Sequence, residues 1–396
     1  MSAGDRGQAA AARLYLDNAA TSYPKPEAVY AAMDDYNRQI GVAAGRSASR
    51  RGSEVAAIID RARRAVARIL DAGPPEQVVF TLNGTDGLNL ILRGLLRPGD
   101  HVVTTRLEHN SVVRPLTALA KTGVRVTTVS SSPNGRVSVE QFAAALSPAT
   151  RLAVCIHASN VTGIVQPVEE IAAACRAAGV PVLLDAAQTV GCHPFSVREL
   201  GVDFVAAPGH KGLLGPLGTG IVWIRPGWDG RIEPLRTGGT GSRSEDATQP
   251  ESMPDKFESG NPNVPGLAGL AAGAEWVLEQ GVGCLAERER ELIRRLAGGL
   301  RTIPGVSIVG AVESPRVGIV SFQVEGYDPT DVAAILDESF GIECRAGLHC
   351  AAAAHTELGT IAHGGTVRFS VGPFTRPTEV DRAVEAIRSI AESVLT

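Results

Sequence analysis

AAPGHKGLLGPLGTG, residues Ala206–Gly220, is the stretch from which the fold is read. An apolar run with one aspartate, Val202–Ala207, enters it, and a second apolar run, Ile221–Ile224, leaves it. Short runs of this kind read as buried strands. Between them Lys211 follows His210 in a glycine-rich loop. Lysine is ordinarily a solvated surface residue, but one lodged between two buried strands has little open surface to occupy. Desolvation lowers the pKa of an amine and makes it a usable nucleophile. Lys211 is therefore read as the amine that forms a Schiff base with a carbonyl cofactor.

Working outward, short β-branched runs alternate with helical patterns. The strand candidates are Val78–Thr81, His101–Thr105, Val124–Val129, Leu152–His157, Val180–Leu184, Phe204–Ala206 and Ile221–Ile224. Amphipathic segments lie between them, and Glu54–Leu70 precedes them with apolar residues at helical spacing. Alternating β and α signals predict an α/β fold around a mostly parallel sheet. From about Pro265 the texture changes to a smaller α+β unit, after the proline- and glycine-rich run Gly260–Gly266. The expected organisation is a disordered tail at 1–12 and an N-terminal segment at 13–30 that joins the small domain. A large cofactor-binding domain at 31–264 and a small C-terminal domain at 265–396 follow.

Ligands of open parallel sheets sit beyond the carboxyl ends of the strands. Five such ends carry polar groups of catalytic type. Gly84-Thr85-Asp86 opens a helix, which suits a phosphate at the positive dipole end or an ordinary cap. His109 offers a flat face for stacking or is a loop histidine. Asn160 lies in Ser159–Gly163. Asp185 ends an apolar run, and a buried carboxylate needs a cation, either a pyridinium nitrogen or a neighbouring arginine. Gln188 suits a hydrogen bond to a phenolate oxygen or a helix surface. His210 and Lys211 complete the set.

Composition narrows the partners. The chain has 396 residues, a net charge of −4 and no block of like charge, which argues against nucleic acid or an anionic membrane. No apolar run approaches the roughly 20 residues of a membrane span. The first residues lack the apolar core of a secretory signal, so a cytoplasmic location is expected. Six scattered cysteines do not form a disulfide framework, and no metal site is expected.

LDNAATS (Leu16–Ser22), EHNS (Glu108–Ser111), SNVTG (Ser159–Gly163), DAAQ (Asp185–Gln188), GHKGLLGPLGTG (Gly209–Gly220), ESGNPN (Glu258–Asn263) and RAGLHCA (Arg345–Ala351) resemble the cysteine desulfurase family. That family belongs to the class V aminotransferase group of fold type I pyridoxal-phosphate enzymes. The resemblance implies a large domain with a mostly parallel seven-stranded sheet, a smaller α+β domain and pyridoxal 5'-phosphate as cofactor. It implies that Lys211 holds the cofactor covalently and carries the proton. Asp185 would pair with the pyridinium nitrogen, Gln188 would bond the ring oxygen and His109 would stack on the ring. Gly84, Thr85, Asp86 and His210 would hold the phosphate, and Asn261 would reach the partner subunit's phosphate in a homodimer. Ala19, Asn160 and Arg368 would contact the substrate, with Arg368 clamping its carboxylate. Cys350 would accept sulfur from L-cysteine as a persulfide and leave alanine, with Arg345 and His349 as nearby positive charges. A sulfur-accepting protein partner is also implied. The alternative in the same cofactor class is a cysteine or cystine C–S lyase, or a selenocysteine lyase, in which Cys350 is dispensable. Pro208 and Asn261 depart from the family pattern, where hydroxyl residues are usual, and so does Asp86, where a second threonine is common.

Overall fold

The structure is a computed structural model that describes residues 13–45, 49–132, 134–242, 245–311 and 313–393. The tail expected at 1–12 lies outside the described residues. The strands in chain order are β1 (Leu14–Tyr15), β2 (Val78–Thr81), β3 (His101–Thr105), β4 (Arg125–Val129), β5 (Thr150–Ile156), β6 (Val182–Asp185) and β7 (Phe204–Pro208). They continue with β8 (Gly220–Ile224), β9 (Val306–Ile308), β10 (Ile319–Val324), β11 (Ile342–Glu343), β12 (Arg345–Gly347) and β13 (Thr366–Ser370).

Seven of them form one sheet in the order β2-β8-β7-β6-β5-β3-β4. β8 runs opposite to the other six strands. The mostly parallel seven-stranded sheet is the one the sequence predicts. Its runs are apolar almost without interruption because both faces are covered. Leu184, Val205 and Trp223 join a core on one face, while Leu183, Phe204 and Val222 join a core on the other. The carboxyl ends of β2, β3, β5, β6 and β7 therefore share one edge of the sheet.

A second sheet, β12-β13-β10-β9, is antiparallel, and β1 pairs in parallel with β11. Leu14 and Leu16 join the core of this smaller unit with Phe322, Phe369 and Leu292. The helix Val264–Gln280 instead sends Leu267, Leu270, Ala274 and Val277 into the larger core.

Element limits differ from the sequence reading where caps decide them. The helix placed at Glu54 begins at Arg50, because the Ser49 hydroxyl accepts the Gly52 N–H at 3.1 Å. The short helix Ala352–Glu357 and the strands β11 and β12 have too few residues to leave a periodic signal. No helix among the described residues is long and apolar enough to cross a membrane.

Candidate active site

The floor of the site is made by strand ends of the large sheet. Asp185 closes β6 at 3% exposure, and its Oδ1 accepts the Ala187 N–H at 3.0 Å. Burial pushes its pKa up, while that hydrogen bond and Lys211 pull it down. The turn after β7 delivers His210 and Lys211. Gly209 is required there, since a Cβ would stand 2.2 Å from Thr219 Oγ1. Burial pushes Lys211 down to about 8, opposed by Asp185 and reinforced by Arg368 and Arg345. This is the desolvated amine that the flanking apolar runs predict. Gln188 donates from Nε2 to the Ala19 carbonyl at 3.2 Å, which brings both into the same cleft.

At one end of the cleft the helix Gly84–Leu95 begins, with Asn83 Oδ1 accepting the Asp86 N–H at 2.9 Å. Gly84 lets that helix approach the neighbouring strand, because a Cβ would stand 3.1 Å from Pro208 Cδ. Thr85 Oγ1 lies 2.7 Å from Ser111 Oγ, and Ser111 Oγ lies 2.8 Å from His109 Nδ1. His109 caps the helix Asn110–Ala120, and its Nδ1 accepts the Ser111 N–H at 3.1 Å. Burial, with Lys211 and three arginines, pushes His109 down to about 4. The ring is neutral near pH 7, and an accepting Nδ1 leaves its proton on Nε2. His210 is pushed down to about 4, first by burial and then by Lys211 and Lys25.

Two residues expected here are elsewhere. Asp86 does not line this cleft: its oxygens accept from Arg236 Nη1 and Nη2, each at 2.9 Å. An acceptor-only carboxylate beside an anion site is better satisfied by a guanidinium. Within this single chain Asn261 lines a separate cleft with Arg236 and Asn263.

The lip of the cleft comes from the smaller unit. Arg368 on β13 is 2% exposed. It donates from Nη1 to the Asn160 carbonyl at 2.9 Å and from Nη2 to Asp17 Oδ1 at 2.8 Å. Asp17 Oδ2 also faces Arg345 Nε at 3.5 Å. Asn160 Nδ2 donates to the His349 carbonyl at 2.6 Å, and the Asn110 N–H donates to the Cys350 carbonyl at 2.8 Å. These bonds hold a turn in which His349 and Cys350 have φ of 46° and 57°. Two successive non-glycine residues in the left-handed region are costly, and such strain persists only where its surroundings impose it. The Cys350 side chain is exposed and opens on the cleft.

His349 is not the positive charge expected beside Cys350. Burial, aided by Arg368, pushes it down to about 2, and its Nε2 bonds Thr366 Oγ1 at 2.8 Å. Arg345 and Arg368 remain as the cations at this lip.

Ser111, Asp17, Ser22 and Lys25 were not singled out from the sequence. Ser22 and Lys25 both donate to the His210 carbonyl, at 3.1 Å each, and so tie the N-terminal segment to the lysine turn. Asp17 sits in LDNAATS and Ser111 in EHNS, so position within a quoted motif was the available signal.

The cleft encloses about 200 Å³, room for a small ligand. Asn160 Oδ1, His210 Nδ1, His349 Nδ1 and Arg368 Nε are buried around it without a hydrogen-bond partner among the described residues. Buried polar atoms are rarely left so, and a polar ligand fits them.

A family model described as aminotransferase class-V matches residues 14–383. A probable cysteine desulfurase of Methanothermobacter thermautotrophicus is 36% identical over 381 residues, covering 96% of this chain and 94% of that protein. The chain belongs to the class V aminotransferase family, among its cysteine desulfurases. A cysteine desulfurase of Klebsiella pneumoniae subsp. pneumoniae is 32% identical over 386 residues, covering 95% of this chain and 93% of that one. The apo structure of a cysteine desulfurase from Thermococcus onnurineus NA1 superposes with a TM-score of 0.90 at 33% identity, covering 96% of this chain and 95% of that chain. The cysteine desulfurase family generally depends on pyridoxal 5'-phosphate.

Proposed function

We propose that this chain is a pyridoxal-phosphate-dependent cysteine desulfurase that converts L-cysteine to L-alanine and takes the sulfur onto Cys350. The observation that carries the reading is the sharing of one cleft by Lys211, Asp185, His109, Arg368 and the Cys350 thiol.

The donor set suits the cofactor. Lys211 supplies a desolvated amine for its carbonyl, Asp185 a buried acceptor for a ring N–H, and His109 a flat neutral face. Gln188 supplies an amide donor beside Asp185. Gly84, Thr85 and His210 line the end where a helix N-terminus favours a phosphate. When bound, that group serves as a sink for the electron pair freed at the substrate α-carbon. Arg368 receives the substrate carboxylate through donors that Asp17 and Asn160 leave free, including Nε. Ala19 and Asn160 frame the same substrate. Lys211, with a neutral fraction near pH 7, removes the α-proton; after the carbon–sulfur pair has passed to the β-carbon, one proton goes to that carbon and one back to the α-carbon, the second proton being the one the Cys350 thiol gave up. The Cys350 thiolate bonds the substrate sulfur as the carbon–sulfur bond breaks. The persulfide stays on Cys350, and the carbon skeleton leaves as alanine.

The test is product analysis with L-cysteine, L-cystine and L-selenocysteine, comparing wild type with Cys350→Ala. Alanine formation from L-cysteine is expected to fall by at least about a hundredfold, since the nucleophile is gone. Unchanged turnover would replace this reading with that of a C–S lyase or selenocysteine lyase.

We also propose a homodimer in which Asn261 completes the partner's phosphate site. Leu82 and Leu217, 57% and 68% exposed beside the cleft that holds Asn261, support a covered apolar rim. The exposed Cys350 thiol suits hand-over of sulfur to an acceptor protein.

A further inference from the structure

Two hydroxyls stand in series between the ring-facing and helix-facing parts of the cleft. Ser111 is 8% exposed, and its Oγ is shared between His109 Nδ1 at 2.8 Å and Thr85 Oγ1 at 2.7 Å. Each hydroxyl has one proton to give. The chain therefore has two polarities. In the first, Thr85 donates to Ser111 and Ser111 donates to Nδ1, so Thr85 turns only lone pairs to the cleft. In the second, Ser111 donates to Thr85 and Thr85 donates into the cleft. The second requires His109 to carry its proton on Nδ1 and donate it to Ser111 Oγ at 2.8 Å, giving up the Ser111 N–H that Nδ1 accepts in the first.

An anion against Thr85 is repelled by the first polarity and bonded by the second. The start of the helix Gly84–Leu95 also offers open N–H groups here, and Thr85 adds a side-chain donor to that backbone set. Pro208 has neither an N–H nor a hydroxyl, and the Asp86 N–H is taken by Asn83. We propose that Ser111 is a positioning residue that turns the Thr85 hydroxyl toward the cofactor's phosphate and couples phosphate occupancy to the hydrogen bonding of His109. The inference rests on the cofactor reading above and adds to it a residue outside the expected phosphate set.

Ser111→Ala removes the hydroxyl alone. Alanine keeps the N–H that Nδ1 accepts, and it is at home in a helix. The cofactor-free full-length chain is titrated with pyridoxal 5'-phosphate and with pyridoxal, which lacks the phosphate, and binding is followed by visible absorbance. The same titrations are run on Ser111→Ala, Ser111→Thr, Thr85→Ala and the double Ser111→Ala, Thr85→Ala variant.

Ser111→Ala is expected to weaken pyridoxal 5'-phosphate about tenfold, the scale of one hydrogen bond to a charged group, and to leave pyridoxal unchanged. Ser111→Thr restores the affinity. In the Thr85→Ala background the loss of Ser111 costs nothing more, because the two act as one unit. Equal weakening of both aldehydes, no weakening of either, or additive losses would overturn the role. Wild-type chain that takes up neither aldehyde would overturn the cofactor reading together with this inference. Normal uptake by wild type and Ser111→Ala alike would overturn the inference alone.

Discussion

The floor and the lip of the cleft are built on opposite terms. On the floor, Asp185, Lys211 and His109 follow strands of one sheet, and Asp185 and His109 each accept a backbone N–H. Burial sets their charge: Lys211 is pushed down to about 8 and His109 to about 4. The lip belongs to the smaller unit. It carries two arginines around one aspartate, and its cysteine sits on a turn held in the left-handed region. The difference assigns tasks. A floor with poised amine and carboxylate suits retention of a cofactor, whereas a cationic lip with an exposed thiol suits substrate capture and sulfur transfer.

The largest expected effects separate these tasks. Lys211→Ala should abolish turnover and covalent cofactor retention together. Cys350→Ala should abolish alanine formation from L-cysteine while the purified protein keeps its visible absorbance. Absorbance spectra and alanine assays on the two variants check this. Loss of the absorbance in Cys350→Ala would break the division between floor and lip.

Asp17→Asn probes the lip alone. Asp17 accepts from Arg368 at 2.8 Å and faces Arg345 at 3.5 Å, so it aims the guanidinium proposed to receive the substrate carboxylate. A hydrogen bond between charged groups contributes about 1.5–3 kcal/mol. KM for L-cysteine is expected to rise about tenfold or more, with kcat within about threefold, the pattern of a lost binding interaction. A fall in kcat at unchanged KM would place Asp17 in the chemistry instead.

Most of the floor was legible in the sequence because each residue directly follows an apolar run, so strand direction alone brings them to one edge. What escaped depends on contacts between distant segments. Asp86 reads as a phosphate neighbour until Arg236, 150 positions on, is seen to hold its carboxylate. His349 reads as a cation until its burial is known. Asp17 reads as a turn residue because its partners, Arg345 and Arg368, lie more than 300 positions away. Cys350 was marked by motif resemblance, but the left-handed turn that presents it has no residue signature, since neither His349 nor Cys350 is a glycine.

The smallest expected effect is a pH shift on the floor. Only the neutral Lys211 amine can capture an aldehyde, and its value of about 8 fixes how much is neutral. Capture by the cofactor-free chain should rise about tenfold per pH unit below 8 and flatten above it, whereas an ordinary lysine would keep gaining to about 10.4. Asp185 favours the ammonium form, so it holds the value up. Asp185→Asn removes that attraction and should move the inflection to lower pH, making capture at pH 6.5 faster even as the bound cofactor loses its ring partner. Stopped-flow absorbance across pH 6 to 10 measures both inflections. An inflection that moves upward in Asp185→Asn would mean that Lys211 is depressed by something other than the burial this floor provides.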